Sequence, residues 1–185
     1  MDRHRKQVDW DIHFMREAKL WSGMSKCLSR KVGTVLVKDK RVIGTGYNGP
    51  PSGVPHCDCR DNVGKYTDRT ISDICPRQRM GFKSGEGLEH CPAVHGEINP
   101  IIQAAKMGIS TVGSTLYCYC GTPCSNCAKE IIQAGITRVV CLGTSGTKET
   151  KDGDNPNKIG YNFPLSETLF KLANVKLDVI KEENL

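Results

Sequence analysis

The order of apolar and polar positions in the first quarter of the chain predicts a helix followed by a β-hairpin. Between residues 8 and 24, apolar side chains recur every three or four positions and no proline intervenes, which is typical of an amphipathic helix. Residues 33–37 and 41–45 are rich in β-forming side chains and flank the polar segment 38–40. Two such runs joined by a short polar turn predict a hairpin.

The second half of the chain alternates between helical and strand patterns. The predicted elements are a helix at 99–107, a strand at 115–119, a helix at 125–134, a strand at 138–142, a helix at 166–173 and a strand at 175–180. Strands alternating with helices predict an α/β fold with a mixed sheet between layers of helices. Residues 50–91 show no sustained period, and they and the polar segment 143–162 are predicted to be loops.

Composition indicates one globular domain spanning residues 1–185. Of the 185 residues, 38% are apolar and 25% are charged, a balance that supplies an ordinary buried core. The first six residues are charged where a signal peptide would be apolar, and no apolar run approaches the roughly 18 residues of a membrane span. We therefore expect a cytoplasmic protein without membrane association, whose ten cysteines are reduced and serve as metal ligands or core residues.

Four residues in two short motifs carry the strongest chemical signal. His95 and Glu97 stand just before one predicted helix, and Cys124 and Cys127 lie at the start of the next. Two cysteines three positions apart on a first helical turn are able to converge on one metal ion, and the helix N-terminus favours their thiolates. With His95 they form a three-ligand zinc site whose fourth position is open to water, as in catalytic rather than structural zinc sites.

Glu97 supplies the group that this chemistry needs besides the metal. It lies two residues beyond His95, close enough to reach a water molecule at the metal without being a ligand. A zinc-activated water, with a neighbouring carboxylate as general acid and base, is able to replace a ring amino group by oxygen. The pattern therefore predicts hydrolytic deamination of a cytosine-type ring.

These motifs resemble those of the zinc-dependent cytidine and deoxycytidylate deaminase superfamily. The resemblance rests on His-Gly-Glu-Ile-Asn at 95–99 and Pro-Cys-Ser-Asn-Cys at 123–127, and extends to 31–36, 46–53 and 134–136. It favours the phage and bacterial deoxycytidylate branch and covers about residues 8–142. The chain departs from the family at Gly96, where alanine is usual, at Pro100, and at 119–122.

The resemblance implies a three-layer α-β-α sandwich with a central mixed five-stranded sheet, and conversion of dCMP to dUMP and ammonia, which supplies dUMP for thymidylate synthesis. It also implies substrate-binding roles for Asn48 in the G-Y-N-G segment, for Asn99 and for Tyr119. Family members are commonly homo-oligomers, often hexamers, activated by dCTP with Mg²⁺ and inhibited by dTTP. The segment formed by Gly46, Tyr47, Asn48 and Gly49 is the expected regulatory nucleotide site.

The cysteines and histidines outside the catalytic motif suggest a second, structural zinc ion. Some phage and bacterial deoxycytidylate deaminases carry one, and the sequence around Cys27 and Cys57 resembles its first two ligand positions. The candidate ligands are Cys27, Cys57, Cys91 and either His90 or Cys75. Free thiols remain the alternative. By contrast, Cys118, Cys120 and Cys141 lie in or beside predicted strands and are expected in the core.

Net charge helps to choose between substrates but does not decide alone. The formal charge of +6 suits an anionic partner, and Arg30, Lys31 and Arg138 are candidates for binding a monophosphate. Two other classes stay open: a polynucleotide deaminase acting on tRNA or single-stranded DNA, and a zinc-binding protein that has lost catalysis. Aromatic residues make up only 6% of the chain, so nucleic acid is not the expected partner, and Glu97 argues against lost catalysis.

Overall fold

A five-stranded mixed sheet forms the centre of the molecule in the computed structural model, which describes residues 6–57, 74–83, 85–143 and 161–185. Its strands are β1 (Gly33–Lys38), β2 (Arg41–Tyr47), β3 (Thr115–Tyr119), β4 (Arg138–Leu142) and β5 (Lys176–Ile180), in the order β2-β1-β3-β4-β5. β1 is antiparallel to β2 and to β3, whereas β3, β4 and β5 are parallel. Both parallel connections pass through helices, as parallel pairing requires.

Helices cover both faces of the sheet, which gives the predicted three layers. They are α1 (Gln7–Ser22), α2 (Pro76–Arg79), α3 (Asn99–Lys106), α4 (Ser125–Gln133) and α5 (Phe163–Leu172). α1 packs on one face, where Phe14 and Met15 contact Val35 and Tyr117. Within the described ranges, none of the helices combines the length and apolarity that crossing a membrane would require.

The other face carries the larger core. Side chains of α3, α4 and α5 pack there against alternate residues of β3 and β4, such as Leu116, Cys118 and Val139. Successive residues of a strand point to opposite faces, so Tyr117 and Tyr119 face α1 while Leu116 and Cys118 face α3 and α4. This alternation decides which side chains of β3 are able to approach the functional site.

Most predicted elements are confirmed, with shifts at their ends. The strands at 115–119 and 138–142 have the expected bounds, while the first helix and the hairpin differ by at most two residues. α5 begins three residues early because Asn162 caps it, accepting a hydrogen bond from the Leu165 amide, and Pro164 suits its first turn. The predicted loop at 50–91 contains α2 and a 3₁₀ turn at Leu88–His90, which lack the length for a visible period.

Candidate active site

The predicted metal ligands lie where two helices begin beside the end of β3. His95, Gly96 and Glu97 form the turn that leads into α3, and Cys124 is the N-cap of α4. The Cys124 sulfur accepts a hydrogen bond from the Cys127 amide at 3.5 Å. The positive ends of two helix dipoles therefore point at one spot, which favours negatively charged ligands there.

The three predicted ligand side chains converge in the structure. The Nδ1 atom of His95 lies 3.2 Å from the sulfur of Cys127 and 3.5 Å from that of Cys124, and the ligand atoms of all three residues lie within 4.8 Å of one another. Both cysteines are buried and His95 is half-buried. Ligand atoms this close, from a histidine and two cysteines, have the spacing and chemistry of a zinc site.

The electrostatics of this cluster fit a cation as well. Hydrogen bonding with Cys127 and with His95 lowers the pKa of Cys124 to about 4, against the effect of burial. The same contact, with burial, raises the pKa of Cys127. A lowered pKa at Cys124 favours its thiolate, the form that binds a metal ion, and a Cys₂His set with one position left for water is a known catalytic zinc arrangement.

Glu97 lines the cleft that contains these ligands. Its side chain is buried, and burial raises its pKa, offset in part by the positive charge of His95. The Cys120 sulfur is 3.9 Å from Oε1 of Glu97. A buried carboxylate beside a candidate zinc site, with a raised pKa, has the properties of a general acid and base.

The turn carrying His95 and Glu97 is held by two neighbouring segments. The Thr34 hydroxyl donates to the Gly96 carbonyl at 2.7 Å, and Gly49 and Val94 exchange a pair of backbone hydrogen bonds. A Cβ at position 96 would lie 2.9 Å from Cγ1 of Val32 and 3.1 Å from the Asn48 nitrogen. The departure from alanine noted at Gly96 therefore has a steric reason in this chain.

Asn48 lines the cleft and organises the loop before β1. Its Oδ1 accepts hydrogen bonds from the Ser25 hydroxyl at 2.7 Å and the Val32 amide at 2.9 Å, and its Nδ2 donates to the Arg30 carbonyl at 2.8 Å. Nδ2 has a second hydrogen beyond the one given to Arg30. Asn48 is thus compatible with the predicted substrate contact, while three of its bonds fix the loop that carries Arg30.

Three predicted substrate residues lie elsewhere. Tyr119 faces α1, and its hydroxyl donates to Glu182 instead of entering the cleft. Asn99 donates to the Tyr47 carbonyl at 2.6 Å and lines a neighbouring groove. Lys31 is exposed and does not line the described cleft, whereas Arg30 does. Tyr119 lies outside the cleft because successive residues of a strand point to opposite faces of the sheet. Asn99 lies outside it because of the direction in which the first turn of α3 projects its side chain.

The suggestion that Arg138 binds phosphate is wrong. Its guanidinium forms ion pairs of 2.7 Å with Asp11 and 2.6 Å with Asp178, and its side chain is 16% exposed. Arg138 begins β4, whereas the site lies beyond the end of the parallel strand β3. Its charge is fully engaged in joining α1 to the sheet.

The second zinc remains a prediction. Within the residues that the structure describes, the group with three or more close ligand atoms is the catalytic one. No such group is formed among the other candidate ligands, which are Cys27, Cys57, Cys75, Cys91 and the exposed His90. Cys27 and Cys91 nevertheless line the same cleft, so they lie on one side of the molecule.

Several residues that line the cleft, which is open to solvent, are not singled out by the sequence patterns. Cys120, predicted to be a core residue, lines it because it follows the last residue of β3. Tyr161 also lines it, and its carbonyl accepts from the Ser125 amide at 2.9 Å. Arg77 lies in the segment predicted to be featureless. The positive charge of Arg77 is the one sequence feature that suggests a role in a site, and many surface arginines have the same charge.

Several known proteins are similar to this chain in sequence or in fold. The chain is 38% identical to deoxycytidylate deaminase of Schizosaccharomyces pombe over 141 residues, which are 76% of this chain and 39% of that protein, so it spans well under half of that relative. It is 37% identical to deoxycytidylate deaminase of Enterobacteria phage T4 over 175 residues, covering 85% and 86% of the two chains.

A solved structure shares the fold. The dCMP deaminase of cyanophage S-TIM5, in complex with dCMP and dUMP, superimposes with a TM-score of 0.63 at 23% identity, over 96% of this chain and 100% of that one. The profile of the cytidine and deoxycytidylate deaminase zinc-binding region matches residues 8–143 and includes all four motif residues. The chain belongs to the cytidine and deoxycytidylate deaminase zinc-binding family.

Proposed function

We propose that this protein converts dCMP to dUMP and ammonia by hydrolysis, supplying dUMP for thymidylate synthesis. The observation that carries the proposal is the convergence of His95, Cys124 and Cys127 beside the buried carboxylate of Glu97 in one cleft. Support for a nucleotide substrate comes from relatives that are named deoxycytidylate deaminases, one of them alike over 86% of its length.

The reaction replaces the amino group on the pyrimidine ring with oxygen from water. His95, Cys124 and Cys127 would hold the zinc ion, which when bound supplies a Lewis acid that activates water. Glu97 takes a proton from the attacking water and delivers it to the ring nitrogen, and a second transfer protonates the departing amine. Because Glu97 is buried and its pKa is raised, the carboxyl group is suited to both accepting and donating a proton.

The cleft suggests how the rest of the nucleotide binds. The remaining Nδ2 hydrogen of Asn48 is available for the sugar, and the exposed Arg30 brings positive charge to the cleft. The electrostatic influence of Arg30 extends to the Glu97 carboxylate. A ribose or deoxyribose monophosphate would thus meet a polar amide and a cation on one wall.

We also propose regulation by nucleotides in the neighbouring groove, which is lined by Gly46, Tyr47, Gly49, Asn99 and Lys106, among others. Activation by dCTP with Mg²⁺ and inhibition by dTTP would act through Asn48, since it lines the cleft while the residues on both sides of it line the groove. A homo-oligomer, expected to be a hexamer, is part of the same proposal.

The test is to measure ammonia release from dCMP, CMP, deoxycytidine and a cytosine-containing single-stranded DNA by the zinc-loaded protein. The proposal requires dCMP to have the highest kcat/KM, and its rate to rise with dCTP and Mg²⁺ and fall with dTTP. Reaction with the single strand alone would identify a polynucleotide deaminase. Absence of any reaction would identify a zinc-binding protein without catalysis.

A further inference from the structure

Arg77 is a buried cation in the wall of the active-site cleft. It lies on α2, a single helical turn, and its side chain lines the cleft together with Arg30, Glu97 and Tyr161. Only 4% of Arg77 is exposed, whereas Arg79 on the same helix is exposed. A guanidinium cannot lose its charge at neutral pH, so this charge is permanent inside the cleft.

The partners of Arg77 do not neutralise that charge. Its Nη1 donates to the backbone carbonyl of Glu86. Its Nε is buried and has no hydrogen-bond partner among the described residues. Arg77 also takes part in none of the ion pairs formed between described residues. Burying a charge without a counter-charge is costly, so an anion is expected to bind beside it.

The surroundings of Arg77 also favour an anion in the cleft. Burial raises the pKa of the Tyr161 hydroxyl, and the positive charges of Arg77 and Arg30 act in the opposite direction, so both guanidinium groups exert their field at that hydroxyl. Two arginines and a tyrosine hydroxyl around one cleft form a set of donors that suits phosphate oxygens. Glu97, the acidic residue lining this cleft, is committed to the chemistry.

We propose that Arg77 binds the 5′-phosphate of the substrate and makes the enzyme prefer the nucleoside monophosphate to the nucleoside. This inference rests on the proposed deaminase function and adds to it the residue that determines specificity at the phosphate. The competing role is structural: through the Glu86 carbonyl, Arg77 would only hold the turn at residues 85–87.

Kinetics of Arg77→Gln with dCMP and with deoxycytidine separate the two roles. A phosphate-binding role predicts that kcat/KM for dCMP falls about 100-fold, mostly through KM, while the value for deoxycytidine falls no more than about threefold. Arg79→Gln removes the same charge from the same helix at an exposed position and should change neither value. Parallel losses for both substrates with a lower Tm would show a structural role and overturn the proposal.

Binding measurements test the proposal without relying on turnover. In calorimetry with the zinc-loaded protein, Arg77→Gln should lower the affinity for dUMP at least about tenfold and leave the affinity for deoxyuridine unchanged. Arg77→Lys keeps the charge, so its affinity for dUMP should lie between those of wild type and Arg77→Gln. Equal dUMP affinity in wild type and both variants would overturn the proposal. If wild type binds dUMP through Arg77 but fails to deaminate dCMP, the proposed reaction fails while the phosphate site stands.

Discussion

Thr34 donates its hydroxyl to the Gly96 carbonyl over 2.7 Å, linking strand β1 to the turn that carries His95 and Glu97. Thr34 is fully buried, so removing the hydroxyl leaves the carbonyl without this partner. We expect Thr34→Val to lower the free energy of unfolding by about 1–3 kcal/mol and to reduce kcat. Urea unfolding and dCMP kinetics measure the two effects.

Thr45→Val is the matched control for that change. Thr45 is paired with β1 on the adjacent strand, but its hydroxyl lies 3.5 Å from Oε1 of Gln103, a weak contact. Thr45→Val should change the free energy of unfolding by less than about 0.5 kcal/mol. Equal effects of the two substitutions would mean that the Thr34 hydrogen bond has no special importance for the site.

Gly96→Ala should disturb the cleft although alanine is common there in the family. Its new Cβ would approach Cγ1 of Val32 to 2.9 Å and the backbone of Asn48 to 3.1 Å, and neither group is the end of a flexible side chain. We expect a loss of about 1–3 kcal/mol in unfolding free energy, with a raised KM for dCMP. At Gly49 a Cβ would have no neighbour closer than 3.8 Å, so Gly49→Ala should unfold like wild type.

The ion pairs of Arg138 predict how stability depends on pH. Burial alone would raise the pKa of Asp11, but hydrogen bonds from Arg138, Gln7 and Tyr117 outweigh it and hold the pKa below the ordinary value of 3.8. A carboxyl whose pKa is lowered by folding stabilises the protein above its unfolded pKa, and this contribution disappears as the pH falls through the folded pKa.

Asp11→Asn should therefore cost about 2 kcal/mol of unfolding free energy at neutral pH, and the difference from wild type should shrink as the pH falls below about 3.8. Denaturant unfolding across that range is the measurement. Asp39→Asn, in the exposed hairpin turn, should unfold like wild type at neutral pH. A difference between Asp11→Asn and wild type that stays constant at low pH would show that shape, not charge, is responsible.

Zinc content should depend on the three convergent ligands and not on Cys120, another thiol that lines the cleft. Cys124→Ala and Cys127→Ala should each lose one zinc ion per chain and all activity, because each removes a ligand from a three-ligand set. Cys120→Ala, at the cleft but outside that set, should keep its zinc. Loss of zinc in Cys120→Ala would mean that the ligand set is wrong.

The same assay counts the predicted structural zinc. If it exists, wild type holds two zinc ions per chain, and Cys57→Ser holds one while its remaining zinc still supports catalysis. One zinc ion in both proteins would exclude the second site.

The sequence was sufficient for the parts of the site that depend on local spacing. His95 and Glu97 are two residues apart, and Cys124 and Cys127 lie on one helical turn, so their geometry follows from the chain itself. The strands and most helices likewise follow from their periodicity. Spacing does not, however, show which face of a strand turns toward the site. It therefore gives no warning that Tyr119, to which the family resemblance gives a substrate role, donates its hydroxyl to Glu182.

Long-range partners were equally beyond the sequence. Arg138 has the charge of a phosphate ligand, but only the packing of α1 and β5 beside it places Asp11 and Asp178 within reach. Arg77 has the same charge and no carboxylate partner among the described residues, and only the path of the segment around α2 carries it into the cleft. Burial and pairing, both set by tertiary structure, separate the two arginines.

The most direct test of the central claim compares zinc-loaded wild type with Glu97→Gln in the hydrolysis of dCMP. Glutamine keeps the size of the side chain but cannot accept the proton, so kcat should fall by at least about 100-fold while one catalytic zinc ion per chain remains bound. A Glu97→Gln variant that still converts dCMP to dUMP at near the wild-type rate would contradict the assignment of Glu97 and, with it, the proposed reaction.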